Sequence, residues 1–149
     1  VAFTAHASPA AICDIFEIRP ATDKPVEIIS VRFGQSSDMG DSAAEGLDIR
    51  MLRIDGTEVS GSGGATPTPE PIDNNDAAAG FGADTMNTTV ATGTLADVFD
   101  DSWNVQIPFL FVPIPEERPR FQDGEYFVVR CSAPADAITM SGTCVVEEL

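Results

Sequence analysis

The sequence predicts an all-β domain: an antiparallel β-sandwich of jelly-roll-like type with long irregular loops. Three observations carry this. The apolar runs are short and, where they show a period, it is two. They are separated by clusters of Gly, Pro, Asp and Ser, the residues that turn a chain. No segment sustains a 3.6-residue period, which excludes a helical bundle. At 149 residues with 43% hydrophobic content, the chain is long enough for one domain, residues 1–149, with a core of its own.

Taken in order, residues 1–11 read as an N-terminal arm, and Ile12 to Ile18 is the first strand. Val26 to Phe33 is the second, with Glu27, Ile29, Val31 and Phe33 on one face. Leu47 to Ile54 is the third: Leu47, Ile49 and Met51 alternate with Asp48, Arg50 and Leu52. Met86 to Thr92 is a Thr-rich candidate. From Trp103 to Val112 the residues Trp103, Val105, Ile107, Phe109 and Phe111 share a face, and Pro108 marks the strand as an edge or as bulged. Tyr126 to Cys131 and Ile138 to Val146 close the chain. Asp41 to Leu47 and Leu95 to Phe99 each have room for one helical turn.

Two connections stand out. Asp55 to Asp84 is a Gly/Pro-rich excursion of about 30 residues, against a usual ~4–6. Its glycines (Gly61, Gly63, Gly64) read as flexible, and its alternate prolines (Pro67, Pro69, Pro71) favour extended backbone. Phe81, alone among small residues, reads either as an anchor for a partner or as a side chain tucked under its own loop. Pro113 to Gly124 is stiffened by proline and groups Glu116, Glu117, Arg118 and Arg120, a set that suits a partner contact or a solvated connection.

Charge excludes some functions. The net charge is −16, from 24 acidic and 8 basic residues, and Ile54 to Glu117 contains no Lys or Arg. Such a surface repels phosphate backbones and anionic bilayers, so neither a nucleic acid nor a membrane is expected as partner. No apolar run approaches the ~18 residues of a membrane span. Val1 to Ala11 lacks the basic start and apolar centre of a signal peptide. Cys13, Cys131 and Cys144 have no metal-binding spacing and read as buried free thiols, with a Cys131–Cys144 bridge left open.

No catalytic signature emerges. His6 is the single histidine and has no G-x-S-x-G elbow to serve, and no phosphate-binding loop is present. One Trp and one Tyr make a poor sugar-stacking surface. Ser37, Asp38, Asp41 and Glu45 form an oxygen-rich group around Gly40, which reads as a hydrogen-bonded turn in preference to a calcium site. No cofactor, metal or catalytic residue is assigned.

Several stretches carry a joint resemblance. They are Gly34-Gln35-Ser36-Ser37-Asp38, Ser60-Gly61-Ser62-Gly63-Gly64 with Pro67-Thr68-Pro69, Asn87-Thr88-Thr89, Pro115-Glu116-Glu117-Arg118 and Thr139-Met140-Ser141-Gly142-Thr143. In this order they resemble small β-rich proteins encoded among the head genes of tailed bacteriophages. The resemblance covers about residues 12–148. It implies a capsid decoration (cement) protein: a homotrimer on the exterior of an icosahedral head, bound to the major capsid protein and assembled in the host bacterial cytoplasm. Phe81, Glu116, Glu117, Arg118 and Arg120 are the expected contact residues. The alternatives are a receptor- or glycan-binding module of a tail or fibre, using Trp103, and, last, a small hydrolase with acidic residues.

Overall fold

The computed structural model describes residues 2–7, 11–37, 45–135 and 137–149. Among these described residues ten strands form two antiparallel sheets: β1 (Ala2–Ala7), β2 (Cys13–Arg19), β3 (Val26–Gln35), β4 (Gly46–Val59), β5 (Gly82–Asn87), β6 (Thr92–Asn104), β7 (Phe109–Phe111), β8 (Arg120–Phe121), β9 (Tyr126–Cys131) and β10 (Met140–Glu148). One sheet has the order β1-β10-β3-β7, with β8 also on β3. The other has the order β5-β2-β9-β4-β6. The antiparallel sandwich expected from the sequence is present. The strand orders do not by themselves make it a jelly roll.

The two inner faces close over one core. Leu47, Ile49 and Met51 of β4 enter it with period two, as the alternation requires. On β3 the alternation breaks. Val145 pairs Ser30 while Val146 pairs Ile28, so Ile29 is the extra residue of a bulge. Val26 and Ile28 therefore face inward together with Val31 and Phe33, whereas Glu27 and Ile29 do not join them in the core. Phe33 stacks on Phe109 at 4.7 Å and meets Trp103 edge-on at 5.0 Å. Each such pair adds about 0.5–1.5 kcal/mol beyond its buried area.

Several boundaries differ from the sequence expectation. Trp103 to Val112 is not one strand. β6 ends at Asn104, residues 105–107 turn, and β7 continues in the opposite sheet. The Trp103 indole N–H donates to the Ile107 carbonyl at 2.6 Å and closes that turn. Leu95 to Phe99 lies within β6 and is not a helical turn, because pairing with β4 overrides its local preference. Gly46 and Leu47 belong to β4, and residues 41–44 lie outside the described residues. The Thr-rich candidate splits between β5 and the connection to β6. Residues 2–7 are not a free arm but an edge strand on β10.

The long excursion narrows to residues 60–81 and wraps the molecule. Ser62 bridges Thr89 and Ala65 bridges Thr85 beside β5, and Glu70 bridges Ala2 on β1. Gly64 permits this approach: a Cβ there would overlap the Thr85 carbonyl oxygen. These glycines serve close packing and not the flexibility expected of them. The connection after β5 also covers the outer face of β4 and β9, where Leu52, Ile54, Ala91 and Val128 form a second cluster with Tyr126 packed against it.

Candidate interaction surface

Two buried polar networks fix one side of the sandwich. In the first, Glu17 and Asp84 lie on neighbouring strands and share Arg19. The Ser60 hydroxyl donates to Glu17 at 2.6 Å, and Glu17 also accepts from the Gly61 amide and the Asn87 side chain, both at 3.0 Å. The Thr66 hydroxyl donates to Asp84 at 2.6 Å. Burial alone would raise the Asp84 carboxyl, but the hydrogen bonds from Arg19 and Thr66 outweigh it and hold it below the usual carboxylate range. In the second network Asp14 accepts from Arg130 at 2.6 and 3.1 Å and from the Ala91 amide at 2.7 Å. Here desolvation wins and raises the Asp14 carboxyl despite the guanidinium. Both carboxylate sites are filled by the chain's own donors. Their chemistry is that of a clamp on residues 60–66 and 88–91.

The sheet edges on that side are covered. β5 is paired by Ala65 at Thr85, with hydrogen bonds of 2.9 and 2.8 Å, and the chain just after it by Ser62 at Thr89, at 2.9 Å in both directions; β1 is paired by Glu70 at 2.9 Å in both directions. The opposite side, formed by β6 and β7, has no such cover among the described residues. The two edge strands adjoin, because Phe99 of β6 and Phe111 of β7 approach to 4.9 Å between ring centroids. β6 runs for 13 residues, almost all of them exposed. Leu95 and Val98 on β6 face water, as do Ile107 (60% exposed), Leu110 (66%), Val112 (61%) and Ile114 (58%) around β7. Six of the ten large apolar side chains exposed among the described residues fall between Leu95 and Ile114, so the apolar surface is concentrated on this edge.

A long uncovered edge strand is a template for pairing with another chain, and proteins guard such edges with bulges and charge. β6 has both. Its register shifts at Val98, between the pairs Met51–Phe99 and Leu52–Asp97. Asp97, Asp100 and Asp101 line it, with Asp97 held by Arg50 at 2.7 and 2.8 Å. In a symmetric β6–β6 pairing these aspartates repel one another. The edge is thus protected against self-pairing in plane while its apolar side chains remain available to a different surface.

The expected contact residues distribute differently. Phe81 is 4% exposed and belongs to the main core, so it anchors the end of the wrap to its own domain and presents no docking side chain. Arg118 and Arg120 face Glu27 at 3.3 and 2.6 Å. Burial alone would raise the Glu27 carboxyl, and the two guanidinium hydrogen bonds overcome it and lower it. The arginines therefore fasten their loop to β3. Glu116 and Glu117 are exposed on a 3-10 turn, Pro115–Glu117, just beyond Ile114 at the end of the apolar edge. Of the oxygen-rich group, Asp38 and Asp41 lie outside the described residues. Ser37 accepts from the Thr139 amide at 2.7 Å and Glu45 from the Ala135 amide at 2.5 Å. Cys131 sits opposite Cys13 in the β2–β9 pairing, not beside Cys144, and all three thiols are free and buried. Trp103 is a core residue, which withdraws it as a sugar-stacking platform. Sequence reasoning missed the β6 edge. Its signal was the spread of Leu95, Val98 and Phe99 among aspartates, where a half-buried strand would show clean alternation.

No family model, curated protein or solved structure matches this chain.

Proposed function

We propose that this chain is a non-enzymatic structural protein of a tailed-phage virion that decorates and stabilises an icosahedral head by binding the lattice of the major capsid protein. The observation that carries the proposal is the one-sided treatment of its edges: the β1/β5 side is wrapped by residues 60–81, while the β6/β7 side is left uncovered among the described residues and exposes six large apolar side chains between Leu95 and Ile114. An assembly protein needs a rigid body with one sticky face, and the order of the short motifs in the sequence supplies the head-protein context. A homotrimer fits the same edge, because a three-fold ring is heterologous and sets β6 against another surface instead of against itself. Many copies on a shell then reinforce weak individual contacts.

The test is co-sedimentation with empty, expanded head shells assembled without this protein, alongside its solution mass. The expected result is stoichiometric binding as a trimer, with the shells more resistant to heat. Leu110→Lys combined with Val112→Lys removes the binding and leaves the fold unchanged. A protein that ignores every shell, or binds them equally with both substitutions, overturns the proposal.

A further inference from the structure

The outer face of the β1-β10-β3-β7 sheet carries an open hollow of about 490 Å3. Its shape follows from register. Thr4, Thr143, Arg32 and Leu110 lie side by side across the four strands. Two residues further along, and so on the same face, Ser141 is opposite Gly34. Gly34 has no side chain and Ser141 a short one, so the sheet is sunken there, between Pro108 and Arg32. A Cβ placed on Gly34 would meet only the Pro108 Cα, at 3.9 Å. The backbone of Gly34 is outside the left-handed region, so any residue can stand there without strain.

Arg32 is the anomaly. Of the eight basic residues, the other seven (Arg19, Lys24, Arg50, Arg53, Arg118, Arg120 and Arg130) each form an ion pair among the described residues. Arg32 is exposed and has none, in a chain whose acids outnumber its bases 24 to 8. It stands at an apolar hollow with the hydroxyls of Thr4, Ser141 and Thr143 around it. A planar guanidinium matches a carboxylate with two parallel hydrogen bonds, and the hydroxyls are further donors to its oxygens. The volume is within the ~300–1,000 Å3 of small-molecule sites.

We propose that this hollow binds a small carboxylate with a short apolar body. Arg32 takes the carboxylate, and the space between Gly34 and Pro108 takes the apolar part. The assignment does not rest on the capsid proposal, although the hollow adjoins that surface: Leu110 is the cross-strand neighbour of Arg32, and Pro108 lines the hollow. The protein's own charge repels anions from the rest of its surface, and at physiological salt that repulsion is screened beyond about 8 Å. An anion that binds is therefore held by local contacts.

The experiment is an NMR titration of the 15N-labelled full chain with straight-chain carboxylates from acetate to octanoate. The expected result is saturable shifts at Arg32, Gly34, Ser141 and Thr143, with affinity rising up to about fourfold per added methylene until the hollow is full. Arg32→Gln weakens binding at least tenfold, and Gly34→Leu abolishes it by filling the hollow. Neither substitution touches an ion pair or the core, so the rest of each spectrum stays folded. Absence of saturable shifts at these residues, binding unchanged by Arg32→Gln, or an equal affinity for the alcohol of the same length overturns the assignment.

Discussion

Replacing Arg130 with methionine isolates the ion pair buried under the β5–β6 connection. The substitution keeps apolar bulk but removes two hydrogen bonds to Asp14 and one, at 2.7 Å, to the Ala91 carbonyl. Asp14 is 0% exposed and keeps only the Ala91 amide as donor from this network. Breaking a buried pair from one side costs about 3–5 kcal/mol, because the remaining charge has neither water nor a partner. With a urea dependence of ~2 kcal/mol/M, the unfolding midpoint falls by roughly 2 M. The loss depends on pH. The folded-state pKa of Asp14 already stands above its ordinary value because burial outweighs its partners. A carboxyl raised on folding costs stability where it is charged, above its folded pKa, and that cost is relieved as pH falls and the proton binds. Without Arg130 the raise is larger. The stability gap between wild type and variant is therefore widest at pH 7 and narrows toward pH 4.5. Asp14→Asn in the Arg130→Met background recovers much of the loss at pH 7. Urea unfolding at both pH values measures this. A gap below about 1 kcal/mol at pH 7, or one that does not change with pH, contradicts a buried and uncompensated Asp14 charge in the variant.

Other consequences follow from the same structure. Phe81→Ala removes a core aromatic at the end of the wrap, costs about 3–5 kcal/mol, and opens residues 60–81 to limited proteolysis, which reads the effect directly. Asp84 has a folded pKa held down chiefly against burial by Arg19, so its contribution is present above the ordinary carboxylate range and is lost as pH falls through the folded value; Arg19→Gln flattens that part of the acid-unfolding curve. Burial pushes the Cys13 thiol up to about 11 and the Cys131 thiol to about 12, and raises Cys144 as well, so a thiol reagent at pH 8 titrates none of them in the native protein and all three after denaturation. Gly64→Ala drives a methyl into the Thr85 carbonyl and detaches the wrap from β5, seen as faster hydrogen exchange of the Ala65 and Thr85 amides.

What the sequence disclosed and what it hid divide along physical lines. Period-two alternation placed Leu47, Ile49 and Met51 on the inner face, and Tyr126 to Cys131 was legible from the apolar run Phe127-Val128-Val129, although nothing local showed that Arg130 within it is buried against Asp14. The bulge at Ile29 was not legible, since an inserted residue leaves composition unchanged and only shifts which face follows. Trp103 to Val112 kept its alternation across a turn between two sheets, so the pattern alone read as one strand. Gly61 to Gly64 looked like flexible linker because glycine serves both freedom and close approach, and only the Thr85 backbone against it separates the two. The long excursion hid its role for a related reason: Glu17, Asp84 and Ser60 are far apart in sequence, and nothing local pairs them. The open edge escaped notice because β6 is exposed apart from Phe99 and Trp103, so its Leu95 and Val98 gave no period to detect.

We propose the β6/β7 side as the surface that meets the head shell, and hydrogen exchange of the chain, free and bound to empty head shells, locates the contact. New protection is expected only at residues 92–114, with residues 60–81 exchanging alike in both states. Protection that falls on the 60–81 wrap, or shell binding with no change along 92–114, contradicts this proposal.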